Sequence, residues 1–421
     1  MASRGTRATL AAPADPRRAP EPQCSGLNSY DGSVPADGAD GLPAAQPPML
    51  RVCSYNLLAQ SLLEANWALY AQCAPDAVNR SARLTRIGHL LSHLNADVLA
   101  LQEVERETFE RLNERLGAQG MQGVYKKRTG NQQDGVALFV RSSRLNLLAA
   151  EEVEYRELAA APIYGVIPSH IEDAALGARL QEMARKDNVA LLLVVNDSLT
   201  GHNILVGCTH ILWNPKRGLI KLAQIRELMR RAHTLSTDHN AGTILCGDFN
   251  CTPRSLLHSY LCGAPVLESL NSEMLWDGSL SVPKWHGRGF GDNDRGRARR
   301  PNKGPGHGNI KGRGGSDRSH NERPSRNRPF VHIDPHPFGT QLRSAFGHIG
   351  EPRVTTFHGG FRGTVDYIMF DSVKFSPRAH LRMPAMGDIR AERSLPSARR
   401  PSDHVPIACD MEMLSRDKTH Q

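Results

Sequence analysis

Apolar runs of a few residues, each closing on a polar or charged side chain, alternate along this chain with stretches where leucine and isoleucine return every third or fourth position. The first pattern is that of buried strands and the second that of amphipathic helices. Leu50-Arg51-Val52-Cys53-Ser54-Tyr55-Asn56 reads as a strand with Asn56 at its exit, and Asp97 to Glu103 as a strand ending in a carboxylate. Asp134 to Val140 is another. Val189 to Val195 pairs with Ile204 to Cys208 about the turn Gly201-His202-Asn203, and the latter runs on into Thr209-His210. Thr243 to Cys246 ends in Gly247-Asp248-Phe249-Asn250, after which Thr252-Pro253 reads as N-cap and first residue of a helix carrying Leu256, Leu257 and Tyr260. Helical spacing also appears in Leu58, Leu62, Leu63 and Trp67, in Leu84 to Leu94, in Glu105 to Leu116, and in Ile220, Leu222, Ile225, Leu228 and Met229. Order fades near Ser272 and resumes with Leu342 to Phe346; Thr364 to Phe370 and His404 to Cys409 are the final strands. Alternating β and α elements with several hairpins predict an α/β fold with a mixed two-sheet core and helices outside, rather than one parallel doubly wound sheet.

Composition changes this picture at two places. A hydrophobic fraction of 39% and an aromatic fraction of 5% in 421 residues are low for a chain that is packed throughout. Residues 1–48 are rich in Ala, Pro, Gly and Asp and are expected to be a disordered tail; residues 49–413 form the folded domain and 414–421 a second tail. Within the domain, residues 284–328 carry 13 Lys and Arg against 4 Asp and Glu, an excess equal to the whole chain's +9, with 10 glycines and repeated Arg-Gly steps. This is a flexible cationic insert, and single-stranded nucleic acid is its natural partner. The eight cysteines include no Cys-x-x-Cys pair, which predicts free thiols in a reducing compartment. No apolar run is long enough to span a bilayer. The expected location is cytoplasmic or nuclear; Arg4 and Arg7 without early acids leave organelle targeting as the alternative.

The chemistry lies in the residues that close the strands: Asn56, Glu103, His210, Asp248, Asn250, Asp366, Asp403 and His404. Carboxylates and amides without a cysteine suit a hard, oxygen-seeking ion, so Mg²⁺ is expected, with Mn²⁺ as a substitute. Two histidines beside several acids are what hydrolysis of a phosphate ester requires: a cation against the phosphoryl oxygens, a base for water, and a donor to the charge that develops. Asp134 is expected to lie behind this set at most, and His202 and His358 on the surface.

Taken in order, Ser54-Tyr55-Asn56, Leu101-Gln102-Glu103, Thr209-His210, Gly247-Asp248-Phe249-Asn250, Val365-Asp366-Tyr367-Ile368 and Ser402-Asp403-His404 resemble the endonuclease/exonuclease/phosphatase superfamily. That resemblance implies a four-layer α-β-β-α sandwich. Trp213-Asn214-Pro215, the Lys221-Leu222 and Gln224 block, and Phe361-Arg362-Gly363-Thr364-Val365-Asp366 are similar to the carbon-catabolite-repressor-type deadenylases, near the Angel branch and its plant relatives. Carried over by position, the resemblance implies that Glu103 is the principal metal ligand with Asn56 beside it and Asp403 near a second ion. It implies that Asp248 orients the attacking water, that Asn250 and His210 hold the phosphate, and that His404 is the catalytic histidine, fixed by Asp366. Pro215 and Phe361 would hold the terminal adenine, one against each side, and Trp213 would also bind substrate. The implied activity is Mg²⁺-dependent 3′-to-5′ exoribonuclease action on poly(A) by a monomer. Removal of a 2′,3′-cyclic phosphate from RNA ends is the first alternative, and RNA binding without catalysis is another. No leucine-rich repeat precedes the domain, so docking to a deadenylase complex is not expected.

Overall fold

The computed structural model describes residues 49–159, 185–215, 217–253, 255–269 and 330–414. The tail at 1–48, the basic insert at 284–328 and residues 415–421 lie outside the described residues.

The chain opens with β1 (Met49–Asn56), followed by α1 (Gln60–Ala65), a 3₁₀ turn (Trp67–Leu69), α2 (Pro75–Val78) and α3 (Arg80–Leu94). Then come β2 (Val98–Glu105), α4 (Arg106–Gly117), β3 (Met121–Lys127), β4 (Asp134–Arg141), β5 (Leu145–Glu154), β6 (Val189–Asp197) and β7 (Asn203–His210). The long helix α5 (Gly218–Asp238) leads into β8 (Gly242–Asp248) and α6 (Leu256–Leu261). The remainder is β9 (Val266–Ser269), β10 (Phe330–Ile333), β11 (Leu342–Ser344), β12 (Thr356–His358), β13 (Phe361–Gly363), β14 (Asp366–Asp371), β15 (Phe375–His380), α7 (Met386–Ala391) and β16 (Ile407–Met413).

Period-two burial turns these strands into layers. One six-stranded sheet runs β15-β16-β1-β2-β4-β3 and the other β11-β14-β8-β7-β6-β5. In β4, Val136, Leu138 and Val140 face the second sheet, where they meet Leu191, Leu193, Val206 and Cys208, while Ala137 and Phe139 face α3 and α4 through Ile87, Leu91, Leu112 and Leu116. On the far side Leu192, Val194, Leu205 and Leu245 pack under α5 through Leu222, Ile225, Met229 and Ala232. The order helix, sheet, sheet, helix is the expected sandwich. In each of these sheets one described pair is parallel, β1 with β2 and β7 with β8; the others are antiparallel. The described cysteines are all free thiols. Among the described residues no helix is long and apolar enough to cross a membrane.

Several expectations are corrected. The helix after Asp248 begins later than Thr252-Pro253, because Ser255 is the N-cap and its Oγ accepts from His258 N at 3.1 Å. Trp67 is not on the helix of Leu62 and Leu63, which stops at Ala65; it sits on the 3₁₀ turn and is 51% exposed. Sheet pairing resumes at Phe330, where β10 pairs with β9, before Leu342. The strand containing Asp366 begins at that residue and not at Thr364, and His404 precedes the final strand, joined to Thr356 by an isolated bridge.

Candidate active site

The strand exits place the polar residues side by side. Asn56 lies opposite Gln102 in the first sheet; in the second, His210 and Asp366 lie opposite Asp248 on either side. At the end of the first sheet the register of β2 slips between Gln102 and Val104, and the residue in the bulge is Glu103, held at φ 55°. A bulge re-aims a side chain, and here it swings the carboxylate off the pleat toward the other sheet. Leu58 and Asn250, at the two neighbouring exits, also have left-handed backbones, at φ 58° and 48°.

Asn56 joins the two sheets. Its Nδ2 donates to Glu103 Oε1 at 3.1 Å and to Asp248 Oδ2 at 3.2 Å, while its Oδ1 accepts from Leu58 N at 3.0 Å. Glu103 Oε2 accepts from Ala59 N, and Asp248 Oδ1 accepts from Asn250 N at 2.9 Å. Burial, followed by the charges of Asp403 and Asp134, pushes the Glu103 carboxyl up to about 8. Burial and then the Asp366 charge push Asp248 up to about 7.

The two histidines differ in charge although both are buried. His404 Nδ1 lies 2.8 Å from Asp366 Oδ2, and Asp403 and Asp248 stand nearby; against its desolvation, these acids hold the ring well above the usual histidine range, as a cation. His210 is pushed down to about 3 by desolvation and then by the charges of Arg128 and His404, so it is neutral. The Nε2 atoms of His404 and His210 are 3.7 and 3.6 Å from Asp248 Oδ2.

Asp248, Asp366 and His404 bring donor atoms within 4.8 Å of one another. With its Nδ1 engaged by Asp366, the His404 ring turns Nε2 toward Asp248. The donors that suit a hard divalent ion are the carboxylates of Glu103 and Asp248, whose elevated positions show how poorly their negative charge is compensated. Asp403 lines the same cleft, with its Oδ2 accepting from Tyr70 OH at 2.9 Å.

Glu103, His210, Asp248, Asp403 and His404 line a cleft of about 980 Å³ together with Trp213, Pro215, Phe361, Asn250 and Lys221. His358 also lines it, its ring 6.3 Å from Tyr70 and 6.4 Å from Phe361, which corrects its expected surface position. His202 is in the β6–β7 turn, away from the cleft, and Asp134 is buried behind Glu103, paired with Arg128. Sequence reasoning left Arg83 out and assigned no supporting role to Ser402, Lys221 or Gln224. Arg83 donates to Pro401 O, Leu57 O and Leu58 O, and Ser402 Oγ donates to Asn56 O at 2.7 Å, fixing the exit of β1. From α5, Lys221 Nζ donates to Asn250 O at 2.9 Å, and Gln224 Oε1 accepts from Leu212 N at 3.0 Å. A lysine and a glutamine one turn apart on an otherwise apolar helix face were the available signal for that clamp.

A model of the Endonuclease/Exonuclease/phosphatase family matches residues 53–404. The chain belongs to that family. It is a family of hydrolases that generally depend on divalent metal. It is 28% identical over 372 residues to 2′,5′-phosphodiesterase 12 of Mus musculus, covering 86% of this chain and 52% of that protein. It is 30% identical over 380 residues to carbon catabolite repressor protein 4 homolog 5 of Arabidopsis thaliana, covering 87% of this chain and 78% of that protein. The chain spans about half the length of the 2′,5′-phosphodiesterase relatives it matches. Among solved structures it resembles ANGEL2, described as a 2′,3′-cyclic phosphatase and crystallised with adenosine-2′,3′-vanadate, with a TM-score of 0.63, 26% identity, and coverage of 86% of this chain and 95% of that one. The expected deadenylase and Angel neighbourhood is therefore found.

Proposed function

We propose that this chain is a Mg²⁺-dependent phosphodiesterase acting on RNA 3′ ends as a 3′-to-5′ exoribonuclease with a preference for adenosine. The observation that carries the reading is the Asn56 amide bridging Glu103 and Asp248, which gathers carboxylates from two sheets at the floor of a cleft with aromatic walls. Glu103 and Asp248 would hold the ion, which supplies Lewis-acid neutralisation of a phosphoryl oxygen. His404, charged through Asp366, donates from Nε2 to charge that builds on the phosphorus oxygens. His210 is neutral and presents a second, weaker donor. Asp248, between both rings, would orient the attacking water. Pro215 and Phe361 flank the cleft where a terminal base would lie, with Trp213 exposed at its rim.

Removal of a 2′,3′-cyclic phosphate is the second reading, favoured by the likeness to ANGEL2. The deciding experiment uses 5′-labelled oligo(A), a mixed-sequence RNA and an RNA ending in a 2′,3′-cyclic phosphate, each with Mg²⁺ and with chelator. A one-nucleotide ladder, fastest on oligo(A) and stopped by chelator, is expected. Loss of the end phosphate without shortening would replace the proposal by the second reading.

A further inference from the structure

We propose that Trp67 is a stacking platform for a nucleobase beyond the terminal one, so that the cleft takes an unpaired strand and not a lone mononucleotide. Six large hydrophobic side chains are exposed among the described residues, and two of them, Trp67 and Trp213, line the cleft that holds Glu103 and Asp248. Trp213 lies in the loop after β7; Trp67 comes from a separate, earlier segment, on the turn after α1.

The turn that carries Trp67 is fixed while the indole is not covered. Leu69 N donates to Asn66 O and Tyr70 N to Trp67 O, both at 2.9 Å. Leu69 O accepts from Gly359 N at 3.2 Å, and a Cβ on Gly359 would stand only 2.8 Å from that same oxygen, so the β12–β13 turn closes directly onto this segment. Tyr70 is buried and its hydroxyl donates to Asp403. Backbone and neighbours are thus anchored to the site, and the indole is presented half exposed. Leu62, Ala65 and Ala68 extend the same wall without charge, while Arg128 lies elsewhere in the lining. Apolar and aromatic surface beside a charged centre is the arrangement that receives bases on one side and phosphates on the other. The cleft volume of about 980 Å³ is at the upper end of the ~300–1,000 Å³ that serves a single small ligand, leaving room for more than one nucleotide. Stacking on an indole is tolerant of base identity, so Trp67 would add affinity for strand and not for sequence.

This inference rests on the phosphodiesterase reading of the site, and the test separates the two. In the full chain with Mg²⁺, Trp67→Ala and Trp67→Phe are compared with wild type on pentaadenylate and on thymidine 5′-monophosphate p-nitrophenyl ester, a phosphodiester bearing one base. Trp67→Ala is expected to lower kcat/KM on the pentamer about tenfold through KM and to leave the one-base ester within twofold, with Trp67→Phe recovering most of the loss. In parallel, pentaadenylate is titrated into Glu103→Gln protein while tryptophan fluorescence is read; quenching should shrink when Trp67→Phe is added. Equal losses on both substrates, or an unchanged pentamer profile and unchanged quenching, would overturn the platform and leave the apolar wall to a protein partner. If wild type cleaves neither substrate, the phosphodiesterase reading fails, and the titration alone decides: quenching that depends on Trp67 supports the platform, and its absence overturns it.

Discussion

Glu103 carries two burdens at one position: a left-handed backbone in a β-bulge and a carboxyl whose protonated form is favoured by burial and by neighbouring acids. Its folded value of about 8 lies above the ordinary 4.5, so the folded chain holds a proton that the unfolded chain has released over that interval. The associated stability is complete below about pH 4.5 and is lost as pH rises through about 8. In chelator-treated protein, Glu103→Gln should therefore flatten the fall of thermal stability between pH 5 and 8, by on the order of 2 kcal/mol at the alkaline end after allowance for partial exposure. Scanning calorimetry at several pH values checks this; parallel curves for variant and wild type would remove Glu103 from the uncompensated cluster. In Mg²⁺ the same variant should be inactive with its fold intact, because the amide keeps the volume and loses the charge.

The elements that position the site do so through close backbone approach and buried polar ties. Gly247, at the end of β8, has φ 154°, and a Cβ there would stand 2.1 Å from the Thr209 carbonyl of β7. Gly247→Ala should cost more than about 3 kcal/mol and lower soluble yield, since the clash is with backbone in the parallel pair; a thermal midpoint within a few degrees of wild type would contradict it. Lys221→Met should behave differently. It leaves the Asn250 carbonyl without its donor but relieves a buried amine pushed down to about 8 by desolvation, so stability should change by about 1 kcal/mol or less while kcat falls at least tenfold. Denaturant titration beside steady-state kinetics separates these effects. At this scale the apolar strands β1, β2, β4, β6, β7 and β8 were readable from their sequence because both faces are buried. The half-buried β3 and β5 were not: the alternation in Leu145–Glu154 is broken by polar and small residues, and β3 carries Gly123 and two lysines. The residues gathered at the site were legible as strand-closing polar groups, but their supports, Tyr70, Arg83 and His358, act across long sequence separations that no local pattern reports.

For the molecule as a whole, the excess charge belongs to a stretch of sequence outside the described residues. Residues 284–328 hold an excess equal to the chain's +9, and they lie outside the described residues that line the cleft. Replacing that segment by a short Gly-Ser linker should reduce the slope of log K for RNA against log salt by about 3 units in magnitude, as for roughly four phosphate contacts on a single strand, while kcat at saturating RNA stays within about twofold. Filter binding at several salt concentrations reads the first quantity; an unchanged slope would mean that the tract does not touch RNA.

The pairing of β1 with β16 sets Met49 opposite Glu412, while Asn56, at the far end of β1, is one of the residues that build the cleft. The two ends of the sandwich are therefore strand neighbours, ~25 Å along the strand from the chemistry. Whatever chain is attached before residue 49 or after residue 413 departs from one corner at the rear of the molecule, where it can be fused, tethered or lengthened without crossing the mouth of the cleft. The same adjacency makes the domain topologically close to a ring: a short bridge from Met413 to Met49 would close it, and new termini could be cut into an exposed turn such as that at Gly201 without separating any pair of strands.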